Sequence, residues 1–155
     1  METRRPTRPL KKEPGDYHHG NLRRALIDAA VGLLEEKDKD AFTLRETARR
    51  VGVDHRAAYK HFADKDALLA AIATEGYLAL ASAVERELSL VGAAPAVTRL
   101  LAIARTYVVC AAAAKGRYRL MTGPRLNEHN RFPELEEAIS QAFRVVEREL
   151  ARGIE

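Results

Sequence analysis

The stretch Thr43–Phe62, TLRETARRVGVDHRAAYKHF, reads as two short helices joined by a tight turn. Thr43 followed by Glu46 has the spacing of a capping box, so the first helix starts there. Gly52 can take the left-handed conformation that stops a helix sharply. Ala48, four residues earlier, is small enough to let the second helix cross closely. Asp54 offers a carboxylate as N-cap for that second helix, which runs towards Phe62. Leu44, Val51, Val53, Ala58 and Phe62 form the apolar set that holds the pair. The pattern is a helix-turn-helix, whose second helix is built to enter the major groove of DNA.

Two helices and a glycine turn are common, so the argument turns on what the second helix leaves exposed. Its first turn carries His55, Arg56 and Ala57, the positions that meet base edges in a recognition helix. Arg56 can bond guanine O6 and N7 together, and Ala57 can touch a thymine methyl. Tyr59, Lys60, His61 and Lys65 lie further along and suit phosphate, as do Thr43 and its backbone N–H at the start of the first helix. Any one of these side chains alone would be an ordinary solvated residue. Together on one short helix they favour double-stranded DNA as partner.

Outward from this pair, residues 1–16 set Pro6, Pro9 and Pro14 among Arg4, Arg5, Arg8, Lys11 and Lys12. Such a segment cannot pack a core and is expected to be a disordered basic arm, either solubilising or reaching the DNA backbone and minor groove. Asn21 is the expected N-cap of a first helix over Asn21–Glu36, and Phe42 staples the entry to the next. Adjacent His18 and His19 splay apart and lack completing ligands, so no metal is expected. Downstream, Asp64 caps a long helix over Lys65–Leu90, broken at Gly92–Pro95. The helix expected over Ala96–Lys115 is apolar on nearly every side, which places it in a core or an interface. Gly116 is expected to end it, with a short element at Arg117–Met121 and a loop to Arg131. The last helix starts at Pro133, has Glu134, Glu136 and Glu137 early and Arg144, Arg148 and Arg152 late, and stops at Gly153. Leu135, Ile139, Ala142, Phe143, Val146 and Leu150 make its apolar stripe. With no strand candidate, the expected fold is all-α. It divides into the arm (1–16), a three-helix helix-turn-helix domain (17–65) and a helical effector and dimerisation domain (66–155).

Composition narrows the function further. The 155 residues carry a formal net charge of +4. Residues 1–65 hold 15 Lys/Arg against 11 Asp/Glu, and residues 66–155 hold 11 of each, so the positive excess lies wholly with the helix pair. The single cysteine, Cys110, excludes an intramolecular disulfide and fits a reducing compartment such as the cytoplasm. It sits in an apolar helix without a basic neighbour, and no phosphate-cradling glycine loop or acid–base pair is present, so neither an enzyme nor a cofactor is expected. No run of about 18 apolar residues occurs, so no membrane span is expected.

Phe42-Thr43, Ala48, Gly52-Val53, Tyr59-Lys60-His61-Phe62 and Lys65-Asp66-Ala67-Leu68-Leu69 resemble the DNA-binding domain of TetR-type transcriptional regulators over about residues 17–70. Tyr17 to Arg23 looks like the lead-in of a subset whose second domain bears a Trp-His-Gly signature. The chain has no Trp, Thr47 stands where the family favours Ile or Val, and Asp54 where it favours Ser or Thr. Such regulators usually continue for several tens of residues more, so a C-terminally truncated member is expected. The resemblance implies a homodimer on a near-palindromic operator, usually a repressor. It also implies a small-molecule effector in the second domain and phosphate contacts from Thr43, Tyr59, His61 and Lys65. Tyr77, Tyr107, Cys110, Tyr118, Met121 and Phe143 are the pocket candidates, with ordinary core packing as the alternative for each. The rival reading is a helical ligand-binding or heterodimerising module without specific operator binding.

Overall fold

A computed structural model describes residues 21–123, 126–127 and 130–153. The described residues form α1 (Leu22–Glu36), α2 (Leu44–Val51), α3 (His55–Tyr59), α4 (Lys65–Val91), α5 (Ala96–Ala113), α6 (Lys115–Thr122) and α7 (Pro133–Arg152), with a 3-10 turn at Lys39–Ala41 and no strand. The all-α expectation holds. The basic arm, Tyr17 and the His18-His19 pair lie outside the described residues.

Most boundaries follow from the caps. The Thr43 hydroxyl accepts the Glu46 N–H at 3.1 Å, the Asp54 carboxylate accepts the Arg56 N–H at 2.8 Å, and that of Asp64 accepts the Ala67 N–H at 2.9 Å. Only half of the expected capping box forms, because the Glu46 carboxylate pairs with Lys37 at 2.8 Å instead. Asn21 occupies the N-cap position of α1 without a side-chain cap bond. Gly52 has φ +83°, the left-handed turn between α2 and α3.

The expected end of α5 at Gly116 is wrong. The chain breaks at Ala114 (φ −141°, ψ 60°), and Gly116 lies inside α6. Its function is close approach. A methyl group at Gly116 would overlap the Leu34 carbonyl oxygen and lie 2.8 Å from the Glu35 nitrogen.

The larger core joins Leu26, Ile27, Leu33, Phe42, Leu44 and Phe62 to Leu68, Leu69 and Ile72 of α4 and to Tyr118, Leu120 and Leu135. α4 therefore belongs to both halves of the molecule. A smaller core of Val84, Leu88, Ile103 and Val145 lies at the far end. There the Glu149 carboxylate, with its side chain 1 % exposed, accepts from Arg99 at 2.6 Å and also meets Arg148 and Arg152. Arg99 in addition donates to the carbonyls of Leu88 and Gly92, tying the α4–α5 elbow to α7. Ala96 beside Gly153 and Arg99 beside Glu149 show α5 running antiparallel to α7. Glu85 paired with Arg148, and Tyr77 sharing a cavity with Ile139, show α7 running with α4.

Candidate nucleic-acid interface

α3 is held from below and open above. Ala58 and Phe62 are buried against α1, α2 and α4, at 0 and 3 % exposure. Their spacing of four residues turns the other side of the helix outward. Arg56, Tyr59, Lys60 and His61 are exposed, and His55 and Ala57 are half-exposed. The His55 ring meets the edge of Tyr59 one turn later, with centroids 6.4 Å apart. Its Nδ1 lies 3.6 Å from the Asp54 carboxylate. Thr43 opens α2 on the exposed surface. Lys65 is half-buried, its Nζ 3.3 Å from the Lys39 carbonyl, 3.8 Å from Asp40 and 6.0 Å from the centre of the Phe42 ring. Two features follow for chemistry. The first turn of α3 offers one guanidinium and one methyl outward, and the flanking cations leave room for phosphate on either side.

Thr47, the departure noted at sequence level, is wholly buried, and its hydroxyl donates to the Thr43 carbonyl at 3.2 Å. That bond satisfies the polar atom, so a hydroxyl replaces a methyl without an orphaned donor.

Five of the six pocket candidates gather where α4, α5 and α6 meet. Tyr77 donates to the Met121 carbonyl at 2.8 Å, and the rings of Tyr107 and Tyr118 meet edge to face at 5.5 Å. Burial, reinforced by Cys110, pushes the Tyr118 phenol well above its ordinary range, and burial also raises Tyr77. Both stay neutral donors at any ordinary pH. Phe143 lies apart, 58 % exposed on α7. A cavity of about 180 Å³ opens beside Tyr77 and Met121, closed by Leu135, Glu136 and Ile139 of α7 and by Asn127. Tyr107, Cys110, Tyr118 and Phe143 do not line it. A wider hollow, about 990 Å³, is an open trough between α4 and α7 and is bridged by Glu85 and Arg148. Among the described residues no cluster of metal-ligating side chains occurs.

Sequence reasoning missed the joints between the helix-turn-helix and the rest. The Gly116 N–H donates to Glu35 at 2.8 Å, Arg119 donates to the Leu34 carbonyl at 3.1 Å, and Arg24 bonds Glu75 at 2.9 Å. Arg131, from the segment before α7, pairs with Asp64 at the start of α4 and holds its carboxyl below the usual range. These partners lie 51 to 85 residues apart, where no local pattern could reveal them.

α2, the Gly52 turn and α3 have the geometry of a helix-turn-helix. Residues 26–72 match the family described as "Bacterial regulatory proteins, tetR family", and the segment is a TetR-family N-terminal helix-turn-helix domain. Tetracycline repressor protein class D of Escherichia coli is 42 % identical over 53 residues, covering 34 % of this chain and 24 % of its own. An HTH-type transcriptional repressor of Mycobacterium tuberculosis is 35 % identical over 70 residues, 45 % of this chain and 37 % of its own. The chain thus spans between a quarter and somewhat over a third of these relatives. A solved structure of a protein with unknown function from Rhodococcus sp. RHA1 superposes with a TM-score of 0.74 at 37 % identity, covering 88 % of this chain and 70 % of that one.

Proposed function

We propose that the protein is a cytoplasmic, sequence-specific transcriptional repressor that binds a near-palindromic operator as a homodimer and is released by a small-molecule effector. The observation that carries this is the outward face of α3, with Arg56 and Ala57 in its first turn and Lys60 and His61 beyond. TetR-family relatives that act as repressors support the direction of regulation. His55, Arg56 and Ala57 read bases, while Thr43, Tyr59, Lys60, His61 and Lys65 bind phosphate. The Tyr17–Arg23 lead-in supports the subset with a Trp-His-Gly second domain, although the chain contains no Trp.

The effector enters the cavity beside Tyr77 and Met121. At about 180 Å³ it is smaller than the pockets of drug-sized ligands, so the effector is small or the cavity expands around it. One end of α6 borders this cavity and the other docks on α1 through Gly116 and Arg119. A ligand that prefers one position of α6 thereby biases the placement of the reader. An operator with fixed half-site spacing converts that bias into affinity.

The test is selection of bound duplexes from a random pool, followed by mobility-shift titration. A two-fold-related consensus bound far more tightly than random DNA is the expected result. Recovery of no consensus, with only weak and steeply salt-dependent binding, would instead favour the module that binds phosphate without reading bases.

A further inference from the structure

Of the glutamates that open α7, Glu134 and Glu137 are exposed, and Glu137 pairs with Arg144. Glu136 differs. It is half-buried and lines the cavity of about 180 Å³ beside Tyr77 and Met121. The walls around it are mostly apolar, from Ala73, Leu120, Leu126, Leu135 and Ile139. Among the described residues no Lys, Arg or His lines this cavity, so Glu136 carries the formal charge there. A carboxylate beside apolar walls is costly until a donor or a cation meets it. The side-chain donors at hand are already used. The Asn127 amide nitrogen donates to the Phe132 carbonyl at 3.1 Å and to Glu136 Oε2 at 3.2 Å, and the Asn127 oxygen accepts the Phe132 N–H at 2.7 Å. The Tyr77 hydroxyl donates to the Met121 carbonyl at 2.8 Å. Acceptors stay open. Glu136 Oε1 receives no hydrogen bond among the described residues, and the Tyr77 oxygen and the Met121 carbonyl each keep a lone pair.

We propose that this cavity takes a small alkylamine, bound as its ammonium ion at Glu136. The proposal rests on the reading of the cavity as the effector site and names the chemistry of the effector. An alkylamine is protonated at neutral pH and brings three N–H donors, the complement of a wall that offers acceptors. Glu136 supplies the charge, and the Tyr77 oxygen and the Met121 carbonyl take the remaining donors. Asn127, 7 % exposed and clamped to Phe132 at both amide atoms, holds the Glu136 carboxylate in place before the ligand arrives. The apolar walls take the hydrocarbon part. Space equal to about six waters limits that part to a short chain or a single ring. An acid would need a cation in the lining. Arg117 of α6 packs over Gly76 and does not line the cavity.

Isothermal titration of the 155-residue chain with cyclohexylamine, cyclohexanol and cyclohexanecarboxylate at neutral pH tests this, because the three share a ring and differ in charge. The amine binds roughly tenfold or more tightly than the alcohol, and the acid binds no better than the alcohol. Glu136→Gln keeps the size of the side chain and an oxygen for Asn127. It weakens the amine about 10- to 100-fold, the worth of a hydrogen bond between charged groups, and leaves the alcohol unchanged. The comparison of the three probes on the wild type decides the matter even where the variant fails to fold. Binding of the acid or the alcohol as tight as that of the amine overturns the proposal, as does binding of none of them. A folded Glu136→Gln protein that keeps the preference for the amine overturns it too. If the amine binds as stated but no DNA consensus emerges from selection, the repressor reading fails while this site stands. If a consensus emerges and the amine does not bind, the reverse holds.

Discussion

Replacing Gly116 with alanine adds one methyl group where there is no room for it. The new carbon would overlap the Leu34 carbonyl and sit 2.8 Å from the Glu35 nitrogen, both backbone atoms of α1 that cannot swing aside. Either α6 withdraws or α1 bends, and withdrawal stretches the Gly116 N–H bond to Glu35 and the Arg119 bond to Leu34. Overpacking of this kind costs about 1–3 kcal/mol. Weakening one hydrogen bond to a charged acceptor adds roughly 1.5 kcal/mol. In a chain of this size each kcal/mol lowers Tm by about 2–4 °C, so the variant should melt roughly 5–15 °C below the wild type. Gly32→Ala is the control. Its new methyl would meet nothing nearer than Arg50 at 3.5 Å, within ordinary contact. Alanine for glycine inside a helix should therefore gain about 0.5–1 kcal/mol and raise Tm slightly. Gly76→Ala should fall between them, because the atom in its way, the Met121 sulfur at 2.5 Å, ends a flexible side chain. Thermal denaturation followed by circular dichroism reads all three. A Gly116→Ala protein melting within 2 °C of the wild type would refute the claim that backbone-to-backbone contact docks α6 on α1.

Three further outcomes follow from the geometry. Asp54→Ser keeps an N-cap for α3 while removing a carboxylate from the DNA-facing side, so operator affinity measured by fluorescence anisotropy should rise at unchanged Tm. Lys60→Ala should weaken binding to every sequence alike and lower the slope of log affinity against log salt by about 0.9. The Arg99 guanidinium first, then the neighbouring arginines, hold the Glu149 carboxyl below its ordinary value of 4.5. A depressed folded-state value means that stability is present in full above the ordinary value and is lost as pH falls through the folded one. Urea midpoints should therefore drop below about pH 4.5, and Glu149→Gln should flatten that acid limb while lowering the midpoint at neutral pH.

The helix-turn-helix was legible in the sequence because its information is local. A cap, a glycine and a second cap lie within Thr43–Asp54, and each sets its neighbours' backbone directly. The long helix was equally plain, from Asp64 to Gly92. What stayed hidden depends on partners distant in the chain. Gly116 looks like a helix stop until Leu34 is seen against it, and Glu149 looks like one more surface acid until Arg99 closes on it. The apolar α5 was expected in a core or an interface. Periodicity could not choose between them, since the choice depends on which neighbours cover it. The buried face of α7 is narrower than the apolar stripe its sequence offers. Leu135, Ala138, Val145 and Glu149 turn inward, whereas Phe143 and Leu150 turn out. Phe143, expected with the pocket tyrosines, is separated from them by the rotation of α7, which leaves it exposed.

Base reading by Arg56 is the claim on which the functional account depends. Its most direct measure is the ratio of affinities for the selected operator and for the same duplex with one contacted guanine replaced. Arg56→Ala should collapse that ratio by roughly 10- to 100-fold, the worth of one bidentate contact, while leaving non-specific binding nearly intact. An Arg56→Ala protein that discriminates between the two duplexes as well as the wild type would contradict the account.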